Sequence, residues 1–167
     1  MNLIELKEEI PNIFEKVKED VRKITGRHRA GLSLKLAEMR KFRGGFIGGM
    51  HLYPGTEIIM NLSPLIAMFK KNKSYEIIWA YTYHILLHEY IHSLGVINEE
   101  ACRTNTQYIS EQIFKNEKHW AVKIARDGLS IAFPELKIKI DDPDWNLEGI
   151  PPEYVKDFDR ESQTYFS

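Results

Sequence analysis

The chain has 167 residues, 43% of them hydrophobic, and a formal net charge of −1; that is the size and apolar content of one domain, residues 1–167, around one core. A charge so close to zero supplies no overall pull toward nucleic acid or an anionic membrane. The single cysteine, Cys102, excludes an intramolecular disulfide and a thiolate cluster, leaves any metal to histidine and carboxylate, and suits a reducing, cytoplasmic setting.

The first nine residues mix acids and bases and lack the basic start and apolar run of an export signal. Leu3, Leu6, Ile10, Phe14, Val17, Val21 and Ile24 then recur every three or four places, a helical stripe that Gly26 is placed to end. Pro11 marks a first turn or a kink in it. Gly31 to Leu36 alternates apolar and polar side chains and predicts a strand. Two further strands, Phe46 to Tyr53 and Thr56 to Leu62, are joined across Pro54-Gly55, a dipeptide that favours a tight reversal. Ser63 and Pro64 suit the start of a short helix running toward Lys71.

Ser74 offers a cap for a long helix from about Tyr75 to Leu94, stopped at Gly95. The apolar run Tyr75 to Ile97 is long enough to cross a bilayer, but Glu76, His84, His88, Glu89 and His92 are costly in lipid, so a buried core helix is expected. Further helices are predicted over Glu99 to Lys115 and Lys118 to Asp127, the latter ending at Gly128. From about Pro134 the chain becomes an acidic, proline-containing tail with weak structural signals. The whole predicts an α+β fold: a small, mainly antiparallel three-stranded sheet packed with a central helix and several others.

The long helix carries His88-Glu89-Tyr90-Ile91-His92, an HExxH sequence. Its four-residue spacing puts both imidazoles on one helix face a turn apart, where two nitrogens can converge on one ion. Catalytic zinc keeps a position for water and needs a third protein ligand. Glu89, beside the first histidine, can reach such a water without joining the ligands and accept its proton. His84, one turn earlier, fits either a pocket wall or a hydrogen-bonded core position.

The run from His88 through Ser93-Leu94-Gly95 resembles the active-site helix of the zincin metallopeptidases; more loosely, the chain resembles small predicted metallopeptidases of archaea. The resemblance implies a zincin-like fold, one Zn2+ ion and a peptide or protein substrate. Asn98 stands where the metzincin branch has its last histidine, whereas Asn98-Glu99 resembles the start of the helix that supplies the third, glutamate ligand in gluzincins. Val96, Ile97 and Asn98 span at most about 3.3 to 3.6 Å each, so a glutamate at the start of the next helix must lie near the motif. Glu99 is the expected ligand, with Glu100 and His119 as alternatives; acids in a first helical turn also simply complement its dipole. The acidic or amide residue that gluzincins carry four places later is Arg103 here.

The resemblance further implies an extended substrate along an edge strand, for which Thr56 to Asn61, with Ile58, Ile59 and Met60, is the expected segment. Arg103, His119 and Tyr154 are the candidate donors to a developing oxyanion. Gly44 to Gly49 lacks the Lys-Ser or Lys-Thr of a phosphate loop and predicts a flexible or bulged strand. The basic bias from Arg22 to Arg43 has few interleaved aromatics, so a solvated surface is expected rather than nucleic-acid binding. The expected function is zinc-dependent peptide hydrolysis with Glu89 activating water. The alternative is a zinc-binding or partner-binding protein on the same scaffold whose function does not depend on Glu89.

Overall fold

The computed structural model describes residues 1–39, 48–128 and 151–163. The first helix, α1 (Leu3–Thr25), opens on a capping box in which the Asn2 side chain accepts from the Glu5 amide and the Glu5 carboxylate accepts from the Asn2 amide. It ends at Gly26 in the left-handed conformation, as the periodicity predicts. Leu6, Ile10, Phe14, Val17 and Val21 are fully buried along its inner face, and Pro11 lies within the helix and is buried with them.

Three strands follow: β1 (Ser33–Ala37), β2 (Gly49–His51) and β3 (Glu57–Asn61). A fourth, β4 (Glu153–Tyr154), comes from near the end of the chain, and the sheet order is β2-β3-β1-β4. The expected β2–β3 reversal is present: the two strands pair antiparallel, and the Gly55 amide donates to the Leu52 carbonyl at 2.7 Å. The expectation of a mainly antiparallel three-stranded sheet is corrected, because β1 and β3 run parallel and the four-stranded sheet is mixed. The cause is a crossing between β1 and β2. It puts the short, glycine-containing β2 at an edge and the apolar β3 in the centre, where both of its backbone edges are paired. In this register Leu34 sits beside Ile58, Leu36 beside Met60, and His51 and Gly49 opposite those two, so all six share one face.

Helix α2 (Leu62–Lys70) starts two residues earlier than predicted. Asn61, not Ser63, is its N-cap, and Pro64 is its third residue. The Asn61 carboxamide oxygen accepts from the amides of both Ser63 and Met39, tying the helix start to the chain leaving β1. Next come α3 (Tyr75–Ser93), α4 (Glu99–Phe114) and α5 (Trp120–Asp127). Helix α3 is buried on nearly every side, from Ile78 to Ser93; it packs against α1, α4, α5 and the β2–β3 face of the sheet.

Part of the tail expected to carry weak structure is integral to the fold. Beyond β4, Phe158 stacks on Phe14 with ring centroids 4.0 Å apart, and Asp159 is buried. One Asp159 oxygen accepts from the Gly31 and Leu32 amides and the other from the Lys18 ammonium at 2.8 Å. The chain then enters a 3-10 turn (Arg160–Gln163). Asp141, Asp142, Asp144 and Glu148 lie outside the described residues. Among the described residues, no helix is long and apolar enough to cross a membrane.

Candidate metal centre

The site forms where α3 stops and α4 begins. Gly95, with φ 100°, turns the chain off the end of α3, and the terminal carbonyls find cationic partners: Ser93 accepts from Arg29 at 2.6 Å, and Leu94 accepts from Arg27. The chain comes back at once, because Asn98 caps α4 by accepting from the Ala101 amide at 2.8 Å. Glu99, the first residue of α4, therefore faces the last turn of α3. Its Oε1 lies 2.8 Å from His88 Nε2 and its Oε2 lies 3.0 Å from His92 Nε2.

That contact has a specific chemical demand. His92 Nδ1 lies 2.7 Å from the Val96 carbonyl; a carbonyl only accepts, so Nδ1 carries a proton, and Nε2 then donates to Glu99 in the imidazolium and presents its lone pair in the neutral ring. A lone pair facing an ionised carboxylate needs a proton or a cation between them. Burial lowers the His88 pKa, with the Glu99 charge opposing that and the His92 charge adding to it. Burial pushes the Glu99 carboxyl up, but the His88 charge, the His92 hydrogen bond and Arg103 together leave it below its ordinary value. Two nitrogens and a carboxylate thus converge as a donor set suited to a borderline divalent ion. Ligands at about 2.0 to 2.1 Å on one tetrahedral ion stand about 3.3 Å apart, so the separations fit after a shift of about half an ångström.

Cys102, one turn into α4, completes a second arrangement. One ligand atom from each of His88, His92 and Cys102 lies within 4.8 Å of the others, and these three form a cluster able to hold a metal ion. The Cys102 thiol is buried and donates to the His88 carbonyl at 3.2 Å. Burial, then the charges of Glu89 and Glu99, pushes it up to about 12. Without a metal it is therefore a protonated thiol near neutral pH, but a divalent ion deprotonates a thiol that it binds; Cys102 and the Glu99 carboxylate, which contacts both imidazoles, are both placed to act as a third donor.

Glu89 lies under β2, against the Gly49 backbone, and lines the same cleft as the two histidines and Glu99. It is 4% exposed, its Oε2 finds no hydrogen-bond partner among the described residues, and burial, aided by the Glu99 charge, pushes its carboxyl up to about 8. Glycines 48 and 49 allow this approach. A Cβ on Gly49 would stand 2.9 Å from Ile85 Cγ2, 3.0 Å from the Ile59 carbonyl oxygen and 3.2 Å from Glu89 Cγ, and one on Gly48 would overlap Ile85. Between β2 and the two helices lies a cleft of about 420 Å³, lined by these glycines, His51, His84, His88, Glu89, His92, Glu99 and Arg103 among others. His84 is held neutral by burial and by His88, at about 3, and His51 is lowered by burial. Each has an unpartnered buried Nδ1 among the described residues.

The motif residues and Glu99 come together as expected; the alternatives do not. Glu100 is exposed, about 100° further round α4, and makes no ion pair with either imidazole. His119 caps α5, accepting from the Ala121 amide at 3.1 Å, and stacks on Phe114, far along α3 from the motif. The expected substrate strand is corrected: Ile58, Ile59 and Met60 belong to the internal strand β3, whose two edges are already paired. Among the described residues it is β2 that forms the edge beside the cleft. Of the oxyanion candidates only Arg103 lines the cleft; Tyr154 is on the far edge strand, hydrogen-bonded to Glu57.

Sequence reasoning missed Cys102, His51 and Arg29. The Arg29 guanidinium donates to the carbonyls of Ser93, Pro54 and Gly55, bracing the β2–β3 turn against the end of α3. Part of the basic bias is thus spent on backbone carbonyls, while Arg40, Lys41 and Arg43 lie outside the described residues, as do Gly44 to Ile47. The chain matches no family model, no curated protein and no solved structure.

Proposed function

We propose that this chain is a zinc-dependent peptide hydrolase of zincin type, with one Zn2+ held by His88, His92 and Glu99. The observation that carries the reading is the convergence of two imidazole Nε2 atoms on one carboxylate, 2.8 and 3.0 Å away, beside a buried glutamate. When bound, zinc supplies Lewis acidity that polarises a carbonyl and acidifies water.

The chain's own residues do the rest. Glu89 takes the proton of the attacking water and delivers it to the departing amine; its carboxyl, poised by burial near neutral pH, suits both halves of that transfer. The Val96 carbonyl holds His92 in the tautomer that frees Nε2 for the metal. The cleft wall at β2 offers backbone groups to an extended peptide. A protein substrate would present such a segment from a loop or terminus.

Metal analysis of the purified protein and of H88A, E99A and C102A, with peptide-library cleavage by wild type and E89Q, tests the proposal. Zinc is expected at one per chain in wild type and C102A and lost in H88A and E99A. E89Q should keep zinc and lose cleavage. Zinc retained in E99A, or full cleavage by E89Q, would overturn the assignment.

A further inference from the structure

The guanidinium of Arg103 is unusual among the side chains of the cleft. It is the only group of the described lining that is cationic at every physiological pH. It is 74% exposed, and its closest acid is Glu99, with Nε 3.7 Å from Oε1, beyond hydrogen-bonding range. Both Glu99 oxygens already face imidazole nitrogens at closer range. The guanidinium thus stands at the cleft with its donors uncommitted, where it would repel a bound cation unless something anionic came with it.

We propose that Arg103 recognises a carboxylate on the substrate, making this a peptidase selective for peptides with an acidic group near the cleaved bond. The inference rests on the hydrolase reading and names its substrate class. Two roles are open to an arginine here, and exposure separates them. An oxyanion donor acts through being fixed in place before the reaction, which a long, exposed side chain without a held hydrogen bond is not. Binding a carboxylate tolerates a mobile arm, because the planar fork organises itself on its partner through two parallel hydrogen bonds. The carboxylate has two sources, a free chain terminus or an Asp or Glu side chain.

The test uses the zinc-loaded full chain and three peptide hydroxamates, whose chelating group is common to all. One ends in a free carboxylate, one in a carboxamide, and one in a carboxamide with Asp as its last residue. Wild type is expected to bind one of the acidic probes about tenfold or more tightly than the neutral one, and the favoured probe identifies the source. R103Q should lose that preference, its acidic and neutral probes binding within about twofold of each other. A variant that merely loosens α4 would weaken all three alike. Equal binding of all three by wild type overturns this inference alone, as does an unaltered preference in R103Q. Failure of every probe to bind the zinc-loaded protein overturns the hydrolase reading and this inference with it.

Discussion

Glu89 makes a prediction that can be checked without any substrate. In the metal-free protein its carboxyl is raised from 4.5 to about 8, chiefly by burial. A raised folded-state pKa means that stability is fully present below pH 4.5 and is lost as pH rises through about 8. Across that window each pH unit costs about 1.4 kcal/mol, so at pH 7 the carboxyl costs about 3 kcal/mol relative to a neutral group of the same shape. The cost levels off at about 5 kcal/mol above pH 9. The carboxamide of the E89Q variant has no proton to lose in this range, and with Glu89 Oε2 lacking a described partner the exchange breaks no hydrogen bond seen at that atom. Urea unfolding in the presence of a chelator, followed by tryptophan fluorescence, should show E89Q and wild type alike at pH 4 and E89Q the more stable at pH 7. The gap should be wider again at pH 9. Equal stabilities at all three pH values, or a variant less stable than wild type at pH 9, would refute the argument that Glu89 is held in a desolvated place.

Three further outcomes follow from the packing. In D159N the buried Lys18 ammonium loses its closest anion, leaving only Glu15 and the half-exposed Glu161; about 3 kcal/mol of stability should be lost, read by urea denaturation. Because the Lys18 pKa is raised, with burial opposing and Asp159 and Glu15 more than compensating, the wild-type contribution is full below pH 10.5 and fades above it, so D159N should also flatten the alkaline limb. G49A should cost about 1 to 3 kcal/mol and weaken zinc binding, since its Cβ meets strand backbone as well as Ile85. Thermal melts and a zinc competition titration would show it. R29K, which cannot span three carbonyls with a planar fork, should lose about 1 to 2 kcal/mol in the same melts.

The helices were the legible part of this chain, because each carries its own period and punctuation: Gly26, Gly95 and Gly128 stand where α1, α3 and α5 finish. The HExxH spacing needed only the helical repeat to place His88 and His92 together, and the short connection after Gly95 was enough to bring in Glu99. Sheet order was not legible, since alternation in Gly31 to Leu36 says which side chains share a face and nothing about which strand lies alongside. Nothing in the sequence of β3 therefore distinguishes an internal strand, which it is, from an edge. Cys102 escaped because counting cysteines tests for disulfides and thiolate clusters, whereas here one thiol sits among imidazoles. Gly48 and Gly49 read as flexibility because the sequence does not show Ile85 and Glu89 pressed against them.

The clasp formed by Asp159 bears on how the protein is made. Its partners, Lys18, Gly31 and Leu32, lie more than 120 residues earlier in the chain. A ribosome delivers those partners first, at roughly 5 to 20 residues per second. For several seconds a growing chain therefore carries a core lysine without its closest counter-charge and a β1 edge without β4. Those seconds are a period of exposure in which a chaperone, or a neighbouring nascent strand, can reach an edge that the finished protein keeps covered.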